Sequence, residues 1–193
     1  MPMSAQTWLG AAASFLGIWV VMMAVMMLPS LVPALWRYRQ AGRGRLTALV
    51  GVGYFAVWTL VGIAAFPLSA ALARAVPIAV GAIVLMAGFF QLTPWKAHQL
   101  ACCREAGRGQ VSADAGTAWR AGLRLGLHCA TCNVGLMAIL LGLGVMDLRA
   151  MVVVAAAITV ERLAPAGERV ARATGAVVVA VGFLFIARAA GLG

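Results

Sequence analysis

The sequence contains few charged residues. Only 10% of its 193 residues are Asp, Glu, Lys or Arg, and 64% are hydrophobic. A soluble domain usually has about 25% charged residues. Because water solvates so apolar a surface poorly and lipid solvates it well, we expect an integral membrane protein. The length fits a single domain, residues 1–193, without a large extramembrane unit.

Acidic residues are especially scarce. The five Asp and Glu face fifteen Lys and Arg, which gives a net charge of +10. The basic residues occur in short runs between apolar segments, so we expect contacts with anionic lipid head groups and no nucleic-acid partner. The first of them is Arg37. A cleavable signal peptide has a basic start, so we expect the first apolar segment to be retained as a membrane helix.

The sequence also lacks the usual signatures of an energised or catalytic protein. It has no P-loop and no dinucleotide fingerprint in a strand–turn–helix context. It has no series of carboxylates within its apolar segments like those of many proton-coupled carriers. We therefore expect no enzyme activity, and active pumping would require a partner or an ion gradient.

Six apolar segments are candidates for crossing a bilayer, which takes about 20 residues per helix. They are residues 8–36, 46–72, 75–92, 125–146, 148–163 and 174–190. Pro29 and Pro33 should kink the first segment or end it early, and the fifth is short and carries Arg149 near its start. The sequence predicts an all-α, polytopic membrane helix bundle of about six transmembrane helices.

The distribution of basic residues predicts the orientation of this bundle. The first, third and fifth loops contain twelve of the fifteen Lys and Arg. By the positive-inside rule these loops are cytoplasmic, and both termini are non-cytoplasmic. The alternation also supports the short fifth span. The predicted location is the cell inner membrane, with several passes through the lipid bilayer.

All cysteines and histidines of the chain lie within residues 98–132. Thiolate and imidazole are the ligands of soft and borderline metal ions. One group is on a short interfacial helix predicted near 94–105, which Thr93 and Pro94 should start. There, His98 and Cys102 are four residues apart and share a face, and Cys103 follows.

The second group lies near the predicted cytoplasmic end of the fourth span. Cys129 and Cys132 share a helical face, and His128 is four residues from Cys132. Both groups would meet at one membrane interface, and four ligands would complete a tetrahedral site for Cu(I) or Zn(II). The candidate ligands are Cys102, Cys103, Cys129, Cys132, His98 and His128. The alternative is that the cysteines are inert, buried apolar side chains.

Methionines form the other unusual pattern. Four of the six residues 22–27 are methionines, and two pairs align along a helix. Thioethers select soft ions such as Cu(I). The predicted ion path comprises Met22, Met23, Met26, Met27 and Met137. The alternative is that methionine fills gaps between helices as a flexible apolar side chain.

These motifs resemble the bacterial family of predicted metal-binding integral membrane proteins. The similar segments are Trp-x-x-Met-Met-x-x-Met-Met-Leu-Pro-Ser at 19–30, Gln-Leu-Thr-Pro-x-Lys at 91–96, Cys-Cys-Arg at 102–104, Gly-Leu-His-Cys-x-x-Cys at 126–132, Gly-Val-Met-Asp-Leu at 144–148 and Glu-Arg at 161–162. They occur in order across most of the chain. The resemblance implies a multi-pass membrane fold and metal binding. The family pattern has a further Cys where this chain has Asn133, so the resemblance implies fewer sulfur ligands here.

Together, these features predict a membrane protein that handles Cu(I) or Zn(II) and transports or delivers it, with an unidentified protein partner in the membrane. One alternative is a membrane thiol–disulfide oxidoreductase in which Cys129 and Cys132 exchange with Cys102 or Cys103. Cytoplasmic thiols are kept reduced, which argues against this alternative. The other is a structural or assembly subunit of a membrane complex.

Overall fold

The computed structural model describes residues 5–72, 77–108, 111, 114–144 and 147–191. Within these ranges the chain forms α-helices and no strands. The helices are α1 (Ala5–Gln40), α2 (Gly44–Leu72), α3 (Pro77–Leu92), α4 (Pro94–Arg108), α5 (Ala115–Leu143), α6 (Leu148–Leu163) and α7 (Gly167–Ala189). The all-α prediction and the short helix predicted near 94–105 are confirmed. The predicted span limits at 75 and 146 lie outside the described residues.

Four segments are long and apolar enough to cross a membrane: Trp8–Pro29, Gly44–Leu72, Ala115–Leu143 and Gly167–Ala189. The pair Ile78–Leu92 and Pro94–Glu105, bent by 67°, would make a fifth span if it crosses as one unit. Helix α6 has 16 residues. At 1.5 Å per residue it is about 24 Å long, shorter than the roughly 30 Å hydrocarbon core. The count of six spans therefore stays a prediction.

The outer surface of these helices is strongly apolar. Val25 and Met86 are each 70% exposed, Val152 is 68% exposed and Val177 is 64% exposed. Soluble proteins rarely expose apolar side chains in such number. On helices of this length, the exposed faces are suited to contact with lipid chains.

Glycines allow two pairs of helices to approach closely. Gly122 of α5 faces α2, and a Cβ atom at this position would lie 3.0 Å from Val50 Cα. Gly182 of α7 faces α3, where a Cβ atom would lie 2.8 Å from the backbone nitrogen of Leu85. Both are closer than real Cβ contacts, so only glycine permits this packing.

Helix α1 continues through Pro29 and Pro33 to Gln40, although its first apolar span ends at Pro29. Proline has no backbone N–H and clashes with the carbonyl four residues earlier, so each proline removes a helical hydrogen bond. The helix is therefore not ended by its prolines, contrary to one of the two expectations above.

Helix α5, which carries Cys129 and Cys132, has a well-defined start. The Asp114 carboxylate accepts a hydrogen bond from the backbone N–H of Thr117 at 3.0 Å and from its hydroxyl at 2.7 Å. These bonds satisfy a backbone donor at the helix end. They also hold the pKa of Asp114 below its ordinary value, because they favour the ionised form.

Candidate metal site

The methionine-rich turns of α1 face the interior of the bundle. Met23 and Met27 are completely buried, and Met22 and Met26 are 7% and 4% exposed. Val25, between them in sequence, points outward. The helical periodicity thus gathers four thioether side chains on the inner face of α1 and leaves aliphatic side chains on its outer face.

Cys129 of α5 lies against this thioether face. Its side chain is completely buried, and its Sγ atom is 3.8 Å from the Sδ atom of Met27. The hydroxyl of Tyr54, from α2, shares a 2.9 Å hydrogen bond with the same sulfur. The Asn133 side-chain amide lies 3.4 Å from it and donates a 2.9 Å hydrogen bond to the Cys129 carbonyl. Three helices thus contribute to the surroundings of this thiol.

The separation of the two sulfur atoms suits a shared metal ion. Two sulfurs that are each about 2.3 Å from one ion, with an angle of about 110° between them, are about 3.8 Å apart. The observed distance between Cys129 Sγ and Met27 Sδ is 3.8 Å. In the structure this distance is a hydrogen bond from the Cys129 thiol to the Met27 thioether, and a bound ion would take the place of the thiol proton.

Cys103 and Cys132 form a second buried pair. They are 5% and 1% exposed and pack together with Leu100. The Cys103 thiol donates a 2.8 Å hydrogen bond to the backbone carbonyl of His128. Since Cys103 comes from α4 and Cys132 from α5, this pair joins the two sequence groups that the cysteine spacing predicted to meet.

The guanidinium group of Arg162 lies near both sets of buried sulfurs, the Cys103–Cys132 pair and Cys129. Nη2 of Arg162, from α6, donates to Cys103 Sγ at 3.2 Å. The same side chain is close enough for electrostatic interaction with Cys129 and Cys132. A cation in these apolar surroundings offsets negative charge on sulfur, and its effect is much larger than it would be in water.

A buried ion pair holds the helices around the thiols. Lys96 Nζ lies 3.0 Å from Glu161 Oε2, and the two side chains are 0% and 1% exposed. Lys96 also donates to the Cys132 carbonyl at 2.7 Å, and the Gln91 amide donates to Glu161 Oε1 at 2.7 Å. The bend between α3 and α4 brings Gln91 and Lys96 to the same carboxylate. The counter-charge of Glu161 is therefore Lys96 of α4.

Arg104 adds a further link between α4 and α6. Its guanidinium donates to the backbone carbonyls of Glu161 at 2.9 Å and Ala164 at 2.5 Å. These carbonyls belong to the end of α6, where backbone acceptors lack helical partners. Arg104 therefore satisfies them and fixes the position of α4 beside the thiols.

The other three predicted ligands are not among the buried sulfurs. The His128 side chain is partly buried, and its described contact with Cys103 is through its backbone carbonyl. His98 Nε2 and Cys102 Sγ are 3.5 Å apart on the exposed side of α4. The six predicted ligands therefore do not form one group. Met137, which was predicted as part of the ion path, lies in the same buried cluster as Cys129 and the α1 methionines. Across the described ranges, no three His, Cys, Asp or Glu side chains are close enough together to hold a metal ion.

Sequence reasoning missed several neighbours of these sulfurs. Tyr54 is one of only two tyrosines and falls in the middle of a predicted span, where a hydroxyl needs a partner. Lys96 and Arg162 were interpreted as topology determinants in loops. The available signal was that Arg162 directly follows Glu161, a carboxylate at the end of an apolar segment.

The described residues form apolar helices packed around buried thiol and thioether side chains. Such an arrangement is characteristic of a helical protein that binds soft metal ions in its interior. The chain belongs to the PpoB2 copper chaperone family, whose model matches residues 16–185. The match includes every buried sulfur described above. Comparisons with curated proteins and with solved structures gave no match. The family match confirms that the chain belongs to a metal-related family. It also supports the prediction that the protein handles copper.

Proposed function

We propose that the protein is a membrane copper chaperone that binds Cu(I) between Cys129 and Met27. The observation that carries this proposal is the 3.8 Å contact between their buried sulfur atoms. Cys103 and Cys132 provide a second pair of buried thiols, and Cys132 lies three residues after Cys129 on α5. Membership of the copper chaperone family supports copper as the cargo.

The neighbours of Cys129 favour Cu(I) over Zn(II). The atoms near its sulfur are a thioether, a hydroxyl and an amide nitrogen. Zinc sites are typically built from four thiolate or imidazole ligands, whereas Cu(I) accepts the softer and uncharged thioether. A site of one thiolate and one or more methionines would therefore bind zinc poorly.

Charge balance explains the position of Arg162. The Cys129 thiolate alone neutralises Cu(I), and a copper ion that Cys103 also binds as a thiolate carries one uncompensated negative charge. Such a charge is costly within a membrane protein unless it is paired. The Arg162 guanidinium, 3.2 Å from Cys103, supplies the compensating positive charge.

We further propose that the buried methionines guide the ion within the bundle. Met22, Met23, Met26 and Met137 share one buried cluster with Cys129 and Met27. The protein acts without catalysis, spans the cell inner membrane with six helices, and has both termini on the non-cytoplasmic side. The exposed apolar faces and the alternation of basic residues support this arrangement.

The test is copper binding by the reduced protein purified in detergent. After loading with Cu(I), elemental mass spectrometry should find about one equivalent of copper per protein. X-ray absorption should show that this copper has sulfur ligands. Cys129→Ser should lose this copper, and Met27→Leu should bind it more weakly. Met86→Leu, at a 70% exposed methionine, is the matched control and should bind normally. Full copper content in Cys129→Ser would exclude the proposal.

A further inference from the structure

Helix α4 presents its two adjacent cysteines to different surroundings. Cys103 is buried beside Cys132, together with Leu100. Cys102 is only partly buried and pairs with the exposed side chain of His98. Successive residues of a helix are rotated by about 100°, so Cys102 and Cys103 project in different directions from α4.

The outer side of α4 is suited to water. Its exposed or partly exposed residues include Trp95, His98, Cys102 and Glu105, which are polar or, in the case of Trp95, typical of a membrane–water interface. A lipid-facing surface would be aliphatic, as it is at Val25 of α1. The His98–Cys102 pair is therefore open to a soluble donor, whereas the buried thiols are covered by α4 itself.

The geometry of the outer pair fits a metal ion. His98 Nε2 and Cys102 Sγ are 3.5 Å apart. An ion about 2.3 Å from a sulfur and about 2.0 Å from a nitrogen, at an angle of about 110°, separates the two atoms by about 3.5 Å. With only these two ligands, the pair would hold an ion less firmly than a complete site and could release it readily.

We infer that His98 and Cys102 form a separate exchange site, which takes Cu(I) from a soluble donor complex and passes it to Cys103. This inference rests on the proposed copper-binding function. Copper stays Cu(I) throughout, and no electrons are transferred. Cys102 loses its proton to water when its bond to copper forms. The donor's ligand is released at this same step. When copper moves on, the Cys103 thiol loses its proton to water and Cys102 regains one.

The experiment measures the rate and the extent of copper transfer separately. The probe is the coloured complex of Cu(I) with bicinchoninate, mixed with the full-length, reduced protein in detergent by stopped flow. The variant is His98→Ala/Cys102→Ser. We expect its initial transfer rate to fall about tenfold, equivalent to about 1.4 kcal/mol, while the copper content of the buried sulfurs at equilibrium stays unchanged.

The matched control is Gln99→Ala, a neighbouring position on the same helix, which should transfer copper at the normal rate. An unchanged rate in His98→Ala/Cys102→Ser, with normal final copper content, would overturn the exchange site and leave the proposed function intact. Failure of the unmodified protein to take up any copper would overturn both. Because His98 is exposed and Cys102 is partly so, the variant should fold, which circular dichroism can verify.

Discussion

Removal of one member of the buried Lys96–Glu161 pair should destabilise the protein far more than removal of both. The two groups are 3.0 Å apart and at most 1% exposed. Lys96→Met would leave the Glu161 carboxylate with only the Gln91 amide as a described hydrogen-bond donor. Glu161→Leu would leave the Lys96 ammonium with only the Cys132 carbonyl. Either single change leaves a buried charge without its counter-charge.

The magnitude follows from this geometry. Two unit charges 3.0 Å apart attract by about 5 kcal/mol at an effective dielectric constant of about 20. Breaking a buried pair from one side costs about 3–5 kcal/mol, whereas replacing both members by apolar residues is often close to neutral. The double variant still leaves the Gln91 amide unpaired, at about 1–3 kcal/mol. We therefore expect about 3–5 kcal/mol for each single variant and about 1–3 kcal/mol for the double variant.

The assay is equilibrium unfolding in mixed detergent micelles, titrated with sodium dodecyl sulfate and followed by circular dichroism. Arg149→Met, at an exposed cation of α6, is the control and should change the free energy of unfolding by no more than about 0.5 kcal/mol. Additive losses in the Lys96→Met/Glu161→Leu variant would refute the reasoning, because they would mean that the two side chains do not depend on each other.

Three further predictions concern other parts of the molecule. Gly122→Val should cost at least about 1–3 kcal/mol in the same unfolding assay, because its side chain would strike the α2 backbone; a stable variant would contradict the close packing. Arg162→Gln should weaken Cu(I) binding in competition titrations, while Arg162→Lys should restore part of it; equal affinity in all three proteins would exclude the charge-balancing role. The pKa of Asp114 is lower in the folded protein than in the unfolded chain. The Asp114 cap should therefore stabilise α5 fully at pH values above the unfolded-state pKa, and this stabilisation should be lost as the pH falls through the folded-state pKa. Unfolding measured against pH should show this loss, and Asp114→Asn should not; identical profiles would contradict it.

Much of the fold follows from apolar segment length and periodicity. The limits of the second and fifth predicted spans, 46–72 and 148–163, agree within two residues with α2 and α6. The start of α5 at Ala115 was missed, because the ten residues before Leu125 include two arginines and read as a loop. Arg120 and Arg124 are tolerated there because the helix is capped at Asp114 and extends beyond the apolar segment.

The site was less predictable than the fold. Clustering of Cys and His in the sequence correctly indicated that Cys103 and Cys132 meet, because a helical hairpin brings α4 onto α5. Pattern alone did not bring Met27 to Cys129, which are 102 residues apart in the chain. Such a contact depends on how α1 packs against α5, and the uniform apolarity of membrane helices specifies that packing weakly.

The two prolines of α1 make the helix easier to bend near residues 25–33 than elsewhere. Pro29 and Pro33 follow the buried pair Met26 and Met27 by a few residues, and each leaves one carbonyl of the preceding turn without its helical donor. Bending at these turns breaks fewer hydrogen bonds than bending elsewhere in the helix. Under the proposed function, bending at these turns would move Met27 relative to Cys129 while the part of α1 before Met22 stays in place, so that the thioether could adjust its distance to a bound ion.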